Sequence, residues 1–104
     1  MTIDATKQPA LGQVAKVLRG REQDQYAIVV RLEDSRFVWI ADGDKRKFDQ
    51  PKKKNILHLD LLSYISSEVA DSLNETGRVT NAKLRYALNK FVELQQSDAQ
   101  QKGE

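Results

Sequence analysis

Cysteine is absent from this chain of 104 residues, and tryptophan and histidine each occur only once. Without cysteine the chain can form no disulfide, no thiolate metal site and no cysteine nucleophile. No apolar run approaches the ~20 residues that a membrane-spanning helix needs, and the first residues lack the apolar core of a signal peptide. Together these features predict a cytoplasmic protein without a membrane partner.

Residue patterns that carry catalysis or bind cofactors are also missing. The five glycines form neither a P-loop nor a dinucleotide-binding fingerprint. The single histidine, His58, has no partners at metal-ligand spacing and no recognisable serine partner, so we expect it to face solvent at a strand end or to contact a phosphate. Asp42 and Asp44 lie at a turn, where carboxylates are common for backbone reasons. We therefore expect no enzyme activity, cofactor, metal or small-molecule substrate.

Two short apolar runs around a polar loop organise the first half of the chain. Residues 13–19 and 26–32 are predicted strands, and Gly20 opens the loop between them because glycine accepts tight turns. Further short strands are predicted at residues 37–42, 45–48 and 55–59, with Asp42-Gly43 as the strongest hairpin signal. Five short, closely spaced strands predict a small closed β-barrel, because closure removes exposed strand edges.

After the fifth predicted strand the apolar period changes to three or four residues. This spacing predicts a helix over residues 60–75 that ends at Gly77, where glycine can adopt the left-handed conformation. A second helix is predicted to begin near Thr80 or Asn81, both good N-caps. If Thr80 is the cap, Val79 and Leu84 occupy the positions of a hydrophobic staple.

The predicted fold class is β+α, a small five-stranded β-barrel followed by a C-terminal helical hairpin. Four segments result: a flexible N-terminal segment at 1–10, the barrel at 11–59, the two-helix extension at 60–94 and a disordered tail at 95–104. The tail is assigned from its Gln, Ser, Asp, Lys and Gly content.

Positive charge is concentrated in the predicted barrel, although the net charge of the chain is only +2. Lys and Arg neutralise phosphates and release condensed counterions, so a local patch of them favours binding to a polyanion. The candidate RNA-binding residues are Arg19, Arg21, Lys45, Arg46, Lys47, Lys52, Lys53 and Lys54. The plainer interpretation is a solvated lysine turn that blunts a sheet edge.

The aromatic residues Tyr26, Phe37 and Trp39 are candidates for stacking on unpaired bases. Phe37 and Trp39 lie in a strand rich in Val and Ile, which favours a place in the core. Tyr26, at a strand start beside the loop, is the better candidate for stacking.

The segment from Gly12-Gln13-Val14 through Val30 resembles a KOW motif, a strand–loop–strand unit of ribosomal proteins and transcription elongation factors. Three further blocks strengthen the match: Ile40-Ala41-Asp42-Gly43, Pro51-Lys52-Lys53-Lys54 with His58-Leu59, and Val79-Thr80-Asn81-Ala82-Lys83-Leu84-Arg85. Over residues 11–94 the chain is similar to small bacterial KOW-domain RNA-binding proteins that resemble a eukaryotic- and archaeal-type large-subunit ribosomal protein. The resemblance implies an SH3-like barrel that binds RNA, ribosomal RNA in particular, with ribosomal proteins as further partners.

One position departs from that motif, because Asp24 stands where a second glycine often ends the loop. Asp tolerates the left-handed conformation better than most residues, so the turn is expected to form. The structural loop residues implied by the pattern are Gly12, Gly20, Asp24 and Gly43. The alternative function is a protein-interaction module of the transcription or translation machinery that docks through the barrel or the helical hairpin.

Overall fold

Alternating apolar residues and β-branched side chains build the first three strands of the sheet. The protein is described by a computed structural model that covers residues 8–102, so most of the predicted flexible segment at 1–10 lies outside the described residues. The five strands are β1 (Gln13–Val17), β2 (Tyr26–Leu32), β3 (Phe37–Ala41), β4 (Lys52–Asn55) and β5 (Leu59–Ile65). They are followed by helices α1 (Ser67–Thr76) and α2 (Asn81–Lys102).

The strands form one antiparallel sheet in the order β4-β3-β2-β1-β5. A short 3₁₀ turn, Ile56–His58, joins the two edge strands β4 and β5. In the part of the chain that the structure describes, no backbone hydrogen bonds pair β4 with β5. The sheet is therefore not closed into a hydrogen-bonded barrel. The β+α class is therefore observed, as five antiparallel strands followed by two helices.

A sheet-enclosed core occupies one face of the sheet. Its buried residues come from four strands, namely Ala15, Val17, Ala27, Val29, Val38, Ile40 and Leu59. No helix contributes a residue to this cluster within residues 8–96. Because these side chains are nevertheless buried, the sheet must curl around them, with Ile56 and Leu61 packed at the side.

A helix-covered core occupies the other face. It joins Val14, Ile28, Val30 and Ala41 of the sheet to Val69, Leu73, Val79, Leu84, Ala87 and Phe91 of the helical hairpin. The helical spacing of these last residues explains why both helices lie on the sheet, since each buries one apolar stripe.

The limits of the helices follow from the local signals in the sequence. Gly77 is left-handed with φ 75° and its N–H donates to the Leu73 carbonyl, which confirms the predicted end of α1. Thr80 Oγ1 accepts from the Lys83 N–H at 3.1 Å, so Thr80 caps α2. Val79 and Leu84 are both buried in the helix-covered core, as a hydrophobic staple requires.

Helix α2 continues to Lys102, through the segment for which the sequence predicted fraying after residue 94. The predicted tail contains Gln, Ala and Lys, which have good intrinsic helix propensity, so the helix can extend beyond its last contact with the sheet.

The predicted strand at 45–48 is wrong, because these residues belong to a turn. Asp42 Oδ1 accepts from the N–H groups of Asp44 and Arg46, each at 2.8 Å, and this fixes the turn. The fourth strand is instead the lysine run of β4, paired with β3 alone. An edge strand can carry lysines, because part of its surface faces solvent. Such a strand lacks the apolar pattern from which strands are predicted, so the sequence did not indicate β4.

The predicted helix over 60–75 is wrong in its first part, and the predicted strand at 55–59 is wrong over residues 56–58, which form the 3₁₀ turn. Residues up to Ile65 form β5, which pairs with β1, so the sheet extends beyond the predicted boundary at residue 59. Leu62 and Ile65 fit both a helical and an extended pattern over such a short window. Long-range pairing with β1 decided between the two.

Candidate nucleic-acid interface

The loop between β1 and β2 forms one end of the sheet, and left-handed residues shape it. Gly20 has φ 102° and Asp24 has φ 71°. The Asp24 N–H donates to the Val17 carbonyl at 2.7 Å, which closes the loop at its far side. The left-handed conformation expected at Asp24 is therefore present in the loop.

Glu22, in this loop, gathers cations from two other segments. Its Oε2 lies 3.6 Å from Arg46 Nη2 in the turn after β3. Its Oε1 lies 3.7 Å from Lys52 Nζ at the start of β4. The latter contact is ionic only, because Glu22 Oε1 has no hydrogen-bond partner among the described residues. One carboxylate thus draws the loop, the turn and the edge strand together.

The remaining candidate cations around this end are exposed. Arg19 and Arg21 flank Gly20, and Lys45 and Lys47 flank Arg46 in the turn. Lys47 Nζ donates to the Asp44 carbonyl at 3.0 Å, whereas Arg19, Arg21 and Lys45 form no ion pair within residues 8–96. We refer to the cations of the β1–β2 loop, the turn after β3 and the start of β4 as the loop-end cluster: Arg19, Arg21, Lys45, Arg46, Lys47 and Lys52.

The lysine run does not act as one unit, because β4 points successive side chains to opposite faces of the sheet. Lys52 and Lys54 pair with Ile40 and Val38, whose side chains lie in the sheet-enclosed core. Lys53 pairs with Trp39 and lies on the helix-bearing face. The structure therefore separates Lys53 from the loop-end cluster.

Lys54 has a different environment from the other candidate lysines. It is only 8% exposed, and its Nζ donates to the Arg19 carbonyl at 2.9 Å. A Cβ at Gly20 would lie 3.1 Å from this Nζ, so the glycine leaves room for the ammonium group. Lys54 ties the loop to the edge strand and is not presented to solvent.

Helix α2 braces the turn that carries Arg46. Arg85 Nη1 donates to the Gly43 carbonyl at 2.7 Å, and Asn81 Oδ1 accepts from the Phe48 N–H at 2.7 Å. Gly43 has φ 80°, and a Cβ there would lie 3.0 Å from the Leu84 Cβ. No local pattern in the sequence indicates the roles of Arg85 and Glu22, because both depend on contacts between distant segments.

The aromatic residues are placed differently from the prediction. Tyr26 packs edge-on against Phe91, with ring centroids 5.2 Å apart, so it belongs to the helix-covered core. Phe37 and Trp39 are only half-buried. Tyr26 is thus not the stacking residue that its position beside the loop indicated.

The carboxylates at the β2–β3 turn have lowered pKa values. A hydrogen bond from Trp39 Nε1, with the charge of Lys53 as a second cause, lowers the pKa of Glu33. Hydrogen bonds from the backbone N–H groups of Arg36 and Phe37 lower the pKa of Asp34. Both carboxylates are therefore ionised and engaged at neutral pH.

His58 is half-buried at the end of the 3₁₀ turn, and its carbonyl accepts from the Leu18 N–H at 2.9 Å. Within the described residues, no three His, Cys, Asp or Glu side chains come together in a way that could hold a metal ion. No helix in that part of the chain is long and apolar enough to span a membrane.

The fold and the loop-end cluster define a small β+α protein with a cationic end on an antiparallel sheet. Over 71 residues, 68% of its length, the chain is 49% identical to "Putative ribosome-binding protein YbzG" of Bacillus subtilis (strain 168), of which it covers 96%. The chain belongs to the same protein family as YbzG. No family model matches the sequence.

Proposed function

We propose that this protein is a non-enzymatic, ribosome-associated RNA-binding protein of the cytoplasm that contacts ribosomal RNA phosphates through the loop-end cluster. The name of its Bacillus relative, "Putative ribosome-binding protein YbzG", supports the ribosome as partner. Ribosomal RNA is the polyanion that such a partner offers in largest amount.

The same proposal includes an SH3-like barrel of the KOW type. The strand order, the 3₁₀ turn between β4 and β5 and the curl of the sheet around its own core support this architecture. The left-handed residues Gly20 and Asp24 support a KOW-type loop between β1 and β2.

The observation that carries the proposal is the pairing of Glu22, in the β1–β2 loop, with cations from two other segments, Arg46 and Lys52. Partly exposed ion pairs of this kind contribute only about 0–1 kcal/mol each. The exposed Arg19, Arg21 and Lys45, which form no ion pair within residues 8–96, can contact phosphates without releasing a carboxylate. Binding by such a surface is electrostatic and falls steeply with salt.

Sedimentation of cell extract through sucrose gradients, followed by ultraviolet crosslinking, tests this function. We expect the protein to sediment with ribosomal particles at low salt, to be released at high salt, and to crosslink to ribosomal RNA. Sedimentation at the top of the gradient at low salt, with no crosslinked RNA, would contradict the proposal.

A second candidate function is docking to a ribosomal protein through α2. Leu94 of this helix is 49% exposed, so α2 presents a large apolar side chain that a protein partner could bury. If crosslinking captured a ribosomal protein and no RNA, and Leu94→Ser abolished that capture, the docking function would replace the RNA-binding one.

A further inference from the structure

A second cationic surface lies on the helix-bearing face of the sheet, at the end where the helices do not cover it. The register places Arg31 of β2 opposite Trp39 of β3, and Trp39 opposite Lys53 of β4. A bulge between Val29 and Arg31 turns Arg31 onto this face. Two cations from neighbouring strands therefore flank one indole ring.

A cation lies close to each of the two aromatic rings on this surface. The Arg31 guanidinium lies 5.2 Å from the Trp39 ring centroid, and Lys53 Nζ lies 4.9 Å from that of Phe37. Glu33 holds the group in place, since it accepts from Trp39 Nε1 at 2.8 Å and pairs with Lys53 at 3.6 Å. We call these five residues, Arg31, Glu33, Phe37, Trp39 and Lys53, the aromatic cluster.

The exposure of the rings separates this cluster from an ordinary core. Phe91, which packs between the helices and the sheet, is 5% exposed, whereas Phe37 and Trp39 are both half-buried. Trp39 touches the helix-covered core only at its margin. Aromatic rings fixed on a sheet beside flexible cations provide both the stacking surface and the charge that an unpaired nucleotide requires.

We propose that the aromatic cluster binds an unpaired RNA base, which stacks against Trp39 and Phe37 while Arg31, which forms no ion pair within residues 8–96, neutralises the adjoining phosphate. This inference rests on the proposed function, but it concerns a different surface from the loop-end cluster. The charge of Glu33 is offset by Lys53, and its bond to the indole N–H keeps the ring in one orientation.

Trp39 is the only tryptophan in the chain, so its fluorescence reports on this surface alone. Purified full-length protein is titrated with a single-stranded oligoadenylate of about eight nucleotides, within the range of lengths that one small domain covers. We expect stacking to quench the emission of Trp39. Inorganic polyphosphate, a polyanion without bases, should bind at low salt without quenching it.

Variants identify the residues involved. Phe37→Leu should weaken oligoadenylate binding about tenfold, which is within the measured range for losing one stacked base. Arg31→Gln should weaken binding and lower its salt slope by about 1, because it removes one phosphate contact. Tyr86→Leu, which removes an exposed ring on α2, serves as the matched control and should leave the titration unchanged. Arg31 is exposed, so its variant keeps the test valid if Phe37→Leu fails to fold.

The outcomes separate this inference from the proposed function. Salt-dependent RNA binding without quenching of Trp39, or equal quenching by polyphosphate, would overturn the inference and leave the loop-end cluster as the RNA site. Absence of any RNA binding would overturn both. Quenching by a proline-rich peptide but not by oligoadenylate would overturn the inference and make this a protein-docking surface.

Discussion

At the scale of single residues, two of the predicted loop glycines, Gly12 and Gly43, allow close packing against the helices. Gly12 has φ 85°, and its carbonyl accepts from the Ser66 N–H at 2.9 Å. A Cβ at this position would lie 2.8 Å from the Ser66 carbonyl oxygen and 3.0 Å from the Ala70 nitrogen. The start of β1 therefore touches the backbone at the beginning of α1 directly.

Gly12→Ala should lower the free energy of unfolding by roughly 3 kcal/mol, because it adds a backbone clash to the cost of a left-handed alanine. Gly77→Ala is the matched control: it has φ 75° but open space around its Cβ, so about 1 kcal/mol is expected. Urea unfolding measures both. Equal losses for the two variants would show that the contact with α1 has no energetic role.

The two lysines Lys52 and Lys54 should behave in opposite ways. Lys54→Met leaves the Arg19 carbonyl without its donor and should cost about 1–2 kcal/mol of unfolding free energy. Lys52→Met removes a partly exposed ion pair and should change stability by less than ~0.5 kcal/mol, while weakening RNA binding. Urea unfolding and RNA anisotropy on both variants check this, and a stable, RNA-deficient Lys54→Met would contradict it.

At the scale of elements, the sequence predicted what local signals decide. The first three strands, the end of α1 and the start of α2 follow from alternation, from Gly77 and from Thr80. Strand β4 was missed because its residues are mostly lysine, and only pairing with β3 shows that it is a strand. Strand β5 was missed because its apolar spacing also fits a helix. Both edge strands depend on partners distant in sequence, which no local pattern contains.

The turn between β2 and β3 couples stability to pH. Asp34 Oδ1 accepts from the N–H groups of Arg36 at 2.8 Å and Phe37 at 3.0 Å, which lowers the pKa of Asp34. Because the folded pKa lies below the unfolded value of about 4, this stabilisation is complete above pH ~4. It is lost as the pH falls through the folded pKa.

Asp34→Asn should therefore lower stability at pH 7 and reduce the loss of stability between pH 5 and pH 2, as measured by urea midpoints along that range. Asp49→Asn, which replaces another exposed carboxylate, is the control. If stability depended on pH in both variants as it does in the wild type, the hydrogen bonds to Asp34 would make no contribution to that dependence.

At the scale of the whole molecule, the helical hairpin covers one face of a sheet that curls around its own second core. This arrangement leaves the loop end open and lets α2 brace the turn that carries Arg46. The sequence predicted a cationic patch on the barrel, because neighbouring strands of a small barrel bring charged segments together. It did not predict that Lys53 lies on the helix-bearing face or that Lys54 is buried, because both depend on the register of β4.

The slope of log affinity against log salt for a ribosomal RNA fragment tests the central claim most directly. Arg21→Gln combined with Lys45→Gln should reduce that slope by about 2, or about 1 for each lost phosphate contact, with unchanged folding. Arg78→Gln combined with Lys90→Gln removes two exposed cations outside the loop-end cluster and should leave the slope unchanged. Equal slopes for the two double variants, whether reduced or not, would contradict the assignment of RNA binding to the loop end.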